Sequence, residues 1–146
     1  MTNSRTKVHF TLPNGPIAGE TLWAERVGDG LYRLLNIPFH VMGYAEGDIV
    51  RCMKHENAEE VVSLEKDSGN GVIRIMFTDS ETQAAQDILA ELTSVGCQYE
   101  RASSQLVAMT VPPHLAIPFS QVANYLNSTN DDIVTGWEVG KRLTRP

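Results

Sequence analysis

The residue types able to do chemistry in this chain are few and scattered. Cys52-Met53-Lys54-His55 sets a thiol and an imidazole three positions apart, the pair from which a metal site or an activated nucleophile could be built. The local pattern reads as a strand, where positions i and i+3 point to opposite faces. Both side chains could then reach one ion only if the strand broke between them. His9, His40 and His114 are dispersed and supply no second ligand pair. Nothing around Cys52 resembles a nucleophile elbow or a thiol at a helix start. Gly28-Asp29-Gly30 and Gly69-Asn70-Gly71 each precede a strand instead of a helix, so they read as turns and not as phosphate cradles. This reading assigns no catalytic residue, no metal ligand and no cofactor. Asp48, Cys52 and His55 are the least poor constellation for an enzyme.

Residues suited to recognition are more numerous. Trp23, Tyr32, Tyr44 and Trp137 are the aromatic types that anchor interfaces. Glu25, on the same stretch as Trp23, reads as an outward carboxylate. Asp48 follows Gly47 at the mouth of a loop, where an aspartate either bonds local amides or offers a charge to a partner. Glu56, Glu59 and Glu60 form one acidic cluster; Asp79 with Glu81 and Asp131 with Asp132 form two more.

The whole composition agrees with a binding protein. The chain has 146 residues, 42% hydrophobic and 21% charged, with a formal charge of −6, the balance of a folded soluble domain. An acidic chain disfavours direct nucleic-acid binding, which needs cations to displace counterions. It favours a monomer or homodimer, or a basic protein partner. No apolar run reaches the roughly 18 residues of a membrane helix, and Met1 to Phe10 lacks a signal peptide's apolar core. The expected location is the cytoplasm, with Cys52 and Cys97 as buried thiols.

The elements that must position these residues follow from periodicity. Val8, Phe10 and Leu12 alternate with polar neighbours as a half-buried strand does. Thr21–Val27 and Leu31–Ile37 flank the Gly28-Asp29-Gly30 turn as a hairpin. A loop shaped by Pro38, Gly43 and Gly47 leads to a strand from Asp48, with Phe39 expected beneath the loop, and Glu59–Lys66 makes a fifth strand. Past Asp67-Ser68-Gly69-Asn70-Gly71 the order becomes strand, helix, strand, strand, helix, strand. Ser80 and Gln83 read as the capping box of the first helix, and Pro118 as the opening turn of the second. The expected class is α+β: a small antiparallel sheet or partial barrel over residues 1–66, packed closely on a ferredoxin-like βαββαβ half over residues 67–146.

Trp23-Ala24-Glu25, the run from Tyr32 through Asn36-Ile37-Pro38-Phe39, and Gly47-Asp48-Ile49-Val50 together resemble a bacterial family catalogued only as a domain of unknown function. In that family a Trp-x-Glu strand, an N-x-P-F segment and a G-D-x-V turn precede a β-α-β-β-α-β half. The resemblance covers most of the chain, its sharp motifs lying between Trp23 and Val50. It implies a fold and brings no established catalytic residue. Small acidic proteins of this type are similar to immunity proteins that stand beside secreted toxins, so the expected function is non-catalytic binding and neutralisation of a cognate toxin. A small-molecule-binding regulatory domain is the alternative, and an unrecognised enzyme the second alternative.

Overall fold

The computed structural model describes residues 5–144; the ends of the two expected modules, 1–4 and 145–146, lie outside the described residues. Five strands come first: β1 (Arg5–Thr11), β2 (Gly19–Gly28), β3 (Leu31–Leu34), β4 (Ile49–His55) and β5 (Ala58–Lys66). Alternation sends Val8 and Phe10, Leu22 and Ala24, Tyr32 and Leu34, and Val50 and Cys52 to one interior. Each strand pairs antiparallel with the next, and the set closes into a barrel. The expected small antiparallel sheet or partial barrel is antiparallel between successive strands, as read, but closes fully. In a meander of five strands the first and last run in the same direction, so closure requires one parallel seam. That seam pairs Val8 with Glu59 and His9 with Glu60.

Two local details also differ from the sequence reading. The third strand ends at Leu34 instead of Ile37, because the Asn36 side chain accepts the Trp23 amide at 2.9 Å and ends the ladder there. Pro38 therefore lies beyond the strand end, and Phe39 is half-buried, packed against Ile37, Ala45, Val72 and Ala108. Gly30, at φ +67°, makes the turn between β2 and β3. In the next hairpin Glu56 itself takes a left-handed conformation, φ 57°.

The remainder of the chain is β6 (Gly71–Phe77), α1 (Gln83–Ser94), β7 (Gln98–Arg101), β8 (Leu106–Val111), α2 (Phe119–Asn127) and β9 (Val134–Lys141). The strands form an antiparallel sheet ordered β7-β8-β6-β9. Both helices cover one face: Ile88, Leu89, Leu92, Val122 and Leu126 pack on Ile73, Ile75, Phe77, Val107, Met109 and Val111. The α+β class of mixed elements and antiparallel sheets is as expected. Helix α1 starts later than its capping box suggested. Thr82 is the cap, its hydroxyl accepting the Ala85 amide at 3.2 Å. Ser80 instead closes the exit from β6, wholly buried, its amide bonded to the Ser104 carbonyl. Among the described residues no helix is long and apolar enough to cross a membrane.

The other face of this sheet receives the loop from Leu35 to Asp48. Ile37 and Ala45 of the loop meet Val72 and Ala108 of the sheet in a third apolar cluster. Hence the loop between β3 and β4 joins the barrel to the sheet.

Candidate functional site

The most polar buried arrangement in the molecule surrounds that loop. Glu20, on β2 and buried, turns its carboxylate to three successive loop amides: Phe39 at 2.6 Å, His40 at 3.0 Å and Val41 at 2.9 Å. Glu100, on β7, accepts the Ile37 amide at 2.9 Å. From the sheet side, Arg74 donates to the Pro38, His40 and Val41 carbonyls and lies 3.6 Å from Glu138. Carboxylates therefore hold the loop's donors while a guanidinium holds its acceptors, leaving the bent segment's polar groups paired without a strand partner. Gly140 makes room for Arg74: a Cβ there would lie 2.8 Å from the guanidinium carbon.

Asp48 closes the same loop. It is wholly buried and accepts from the Ala45 amide at 2.9 Å, the Ser68 amide at 2.8 Å and Ser68 Oγ at 2.6 Å. Lys141 Nζ, from the end of β9, donates to both its oxygens at 3.0 and 2.9 Å, and to Asp67 at 2.7 Å. The Lys141 hydrogen bond is the main cause that holds the Asp67 carboxyl below its ordinary pKa. Every oxygen of Asp48 thus serves the join between barrel, linker and sheet, and the side chain faces away from any surface partner.

The other residues singled out from the sequence are dispersed. Tyr32 is buried in the barrel; burial, and then Glu59 beside it, push its pKa up. Tyr44 is half-buried, its ring edge-on to Phe10 at 4.8 Å, its pKa raised by burial and then by Asp48. Trp137 packs against the sheet core and donates to Asn127 Oδ1 at 2.9 Å. Trp23 is the exposed aromatic of the set, 42% accessible, with Lys7 Nζ 5.1 Å from its ring centre. Glu25, beside it on β2, pairs with Arg33 at 2.5 Å. Glu60 accepts from the Thr11 hydroxyl, Glu59 faces Tyr32, and Glu56 sits exposed in its turn. The structure therefore brings Glu59 and Tyr32 together, and Tyr44 near Asp48, but makes no single surface of the nine residues.

The thiols are chemically quiet. Burial pushes Cys52 up to about 12, with Glu59 and Glu60 adding to the effect, and burial alone pushes Cys97 up to about 11. A thiol so placed stays protonated at neutral pH and is a poor nucleophile. His55 is exposed at the end of β4. Among the described residues no group of three or more His, Cys, Asp or Glu converges on a metal position.

A different set of carboxylates does gather. The Thr78 amide bonds to the Ile133 carbonyl at 2.9 Å, so the segment of Asp79 and Glu81 leaves the sheet at the same end where the segment of Asp131 and Asp132 enters it. Asp87 and Glu91 of α1 continue the charge along the helices, close enough to Tyr125 of α2 to raise its pKa after the larger effect of burial. All six carboxylates are exposed, and among the described residues no lysine or arginine pairs with any of them. Sequence reasoning singled out the two acidic pairs separately. It missed Glu20, Arg74, Glu100 and Lys141, although an arginine inside the apolar run Val72–Phe77 was a signal that something opposite needed a cation.

The family model described as Domain of unknown function (DUF4265) matches residues 20–137. No curated protein matches the chain. Among solved structures, the "Novel crystal structure of a hypothetical protein from Neisseria gonorrhoeae" is similar at a TM-score of 0.77 and 22% sequence identity, over 100% of this chain and 99% of that one. At that identity the likeness speaks to the fold alone.

Proposed function

Because the chain belongs to the DUF4265 family, whose description carries no activity, we propose from the geometry that it is a non-catalytic bacterial binding protein: a cytoplasmic immunity protein that covers a basic toxin. The observation that supports this reading is the exposed acidic surface of Asp79, Glu81, Asp87, Glu91, Asp131 and Asp132, none of them in an ion pair among the described residues, with Arg101 bonded to the Ser80 carbonyl at its edge. Asp79 accepts the Glu81 amide and Asp87 the Gln83 side chain, bonds that leave the negative charges in place. Like charges so gathered repel one another, and a basic partner relieves that repulsion while being steered towards the face. The Glu56, Glu59 and Glu60 cluster is a smaller platform, with Glu59 and Glu60 half-buried where all six carboxylates of the other face are exposed. Trp23, on the barrel, would add an aromatic contact to a partner large enough to reach both modules.

We read residues 67–146 as a ferredoxin-like module and 1–66 as a barrel module; the strand order β7-β8-β6-β9 with both helices on one face supports the first.

The test is association with the product of the neighbouring gene at increasing salt. The expected on-rate falls steeply as exposed charges are screened. Neutralising Asp79, Glu81, Asp131 and Asp132 to their amides should slow association while leaving dissociation nearly unchanged. An on-rate flat with salt and indifferent to these substitutions, or a chain that fails to relieve the product's toxicity, would overturn the reading.

A further inference from the structure

A cavity of about 390 Å³ opens at the end of the sheet where β6 begins, the end opposite Asp79 and Asp132. Ile73, Val111 and Val139 wall it from the helix side of the sheet, Phe119 closes it from the start of α2, and Leu143 from beyond β9. Small-molecule sites occupy about 300–1,000 Å³ and combine an apolar lining with a few placed polar groups. The cavity has both properties.

Its polar groups are cationic, Lys141 and Arg142, and a bulge separates their roles. Ile73 pairs with Val139 and Val72 with Lys141, so Gly140 is the extra residue. Lys141 thereby turns to the barrel side, where Asp48 and Asp67 take up its charge. Arg142 follows the end of β9 and lines the cavity, exposed, and among the described residues no carboxylate pairs with it. Phe119, which shares the cavity lining with Arg142, opens α2, whose N-cap Pro118 makes no side-chain cap bond. The Gln121 amide bonds back to the Pro118 carbonyl, the amides of Phe119 and Ser120 precede any intrahelical acceptor, and the dipole favours negative charge there. The apolar wall, a guanidinium without an ion-pair partner among the described residues and the first residue of an uncapped helix all border one space.

We propose that this cavity binds a small apolar carboxylate, its hydrocarbon seated among Ile73, Val111, Val139 and Phe119 and its carboxylate between Arg142 and the first turn of α2. A neutral apolar ligand would leave the guanidinium unused, and a cationic one would be repelled by it. The site shares no residue with the acidic face, so it stands or falls independently of the toxin-inhibitor reading.

Decanoate, with decanol as its neutral counterpart, is the probe, titrated into the full chain and followed by methyl NMR. Decanoate should shift the methyl signals of Ile73, Val111, Val139 and Leu143 saturably. Arg142→Gln and Ser120→Glu change exposed positions and should each weaken decanoate about tenfold, one charge-assisted contact being worth about that factor. Decanol binding should be unmoved by either. The proposal is overturned if those methyls show no saturable shift. Equal decanoate affinity in wild type and both variants also overturns it, since binding would then be unspecific and apolar. Binding that appears only after residues 145–146 are removed overturns it too, because the occupant would then be the chain's own end.

Discussion

Asp48 and Lys141 lie 93 positions apart in sequence and meet through both carboxylate oxygens. The side chains are 0% and 8% exposed, so the pair is desolvated and its worth lies in what happens when one half is lost. Asp48→Ala should cost about 3 kcal/mol in urea unfolding, the lower end of the range for breaking a buried pair, because Asp67 still holds the ammonium. Two other carboxyls act oppositely with pH. Asp67 has a lowered folded pKa, so its contribution is full above the ordinary aspartate value of 3.8 and is lost as pH falls through the folded value. Glu46 has a raised one, from burial and then from Glu100. Its contribution is full below the ordinary value of 4.5 and is lost as pH rises through the folded value. Glu46→Gln should therefore remove that decline. Urea midpoints of mutant and wild type between about pH 3 and pH 7 should diverge towards the neutral end, the mutant being the more stable there.

The loop between β3 and β4 is the element on which these residues act. Its shape depends on groups outside itself: Glu20 from one side, Arg74 from the other and Glu100 at its entry. Glu20→Gln keeps the size but replaces one accepting oxygen with a donor facing amides, and should cost about 2 kcal/mol, since each buried donor left unpaired costs about 1–3. The amides of Phe39, His40 and Val41 should then exchange with solvent faster than those of the flanking strands. Gly140→Ala tests the opposite side. The added methyl meets Arg74, not open space, so the guanidinium must shift and the same amides should lose protection with Glu20 intact. Phe39→Ala should cost about 2 kcal/mol, less than the 3–5 of a fully buried phenylalanine, because its ring is half-buried.

At the scale of the molecule, barrel and sheet share one seam of charged and apolar contacts. Arg74, Lys141 and Glu100 belong to the sheet half, yet the groups that satisfy them come largely from the barrel half or the linker. Separated, each half would carry buried ionic groups without partners, and modules of this size bury little core to offset them. The full chain should therefore unfold in a single transition, with calorimetric and van't Hoff enthalpies equal. A fragment of residues 67–146 should be unfolded or markedly less stable alone. Two resolved transitions would show that the seam contributes little.

Local patterning alone determined where most strands and both helices run, because alternation and helical spacing are recorded between near neighbours. Val8 with Phe10, Leu22 with Ala24, and the apolar faces of α1 and α2 were all legible in that way. The sequence also marked Asn36-Ile37-Pro38-Phe39 and Gly47-Asp48 as unusual, without saying what they served. Their roles were settled by packing between distant segments. Whether five strands close depends on β1 meeting β5, a contact with no local signature. Whether Asp48 faces a partner or Lys141 depends on the end of β9 folding back over the linker. Ser80 was read as a cap from its spacing, but burial took it inward and left the role to Thr82. Charge shows the same division. The acidic residues could be counted from the chain, but Asp79 and Glu81 gather with Asp131 and Asp132 only because the end of β6 and the start of β9 are bonded side by side. Side-chain pairing across long separations is a property of the packed chain, and spacing in the sequence carries no record of it.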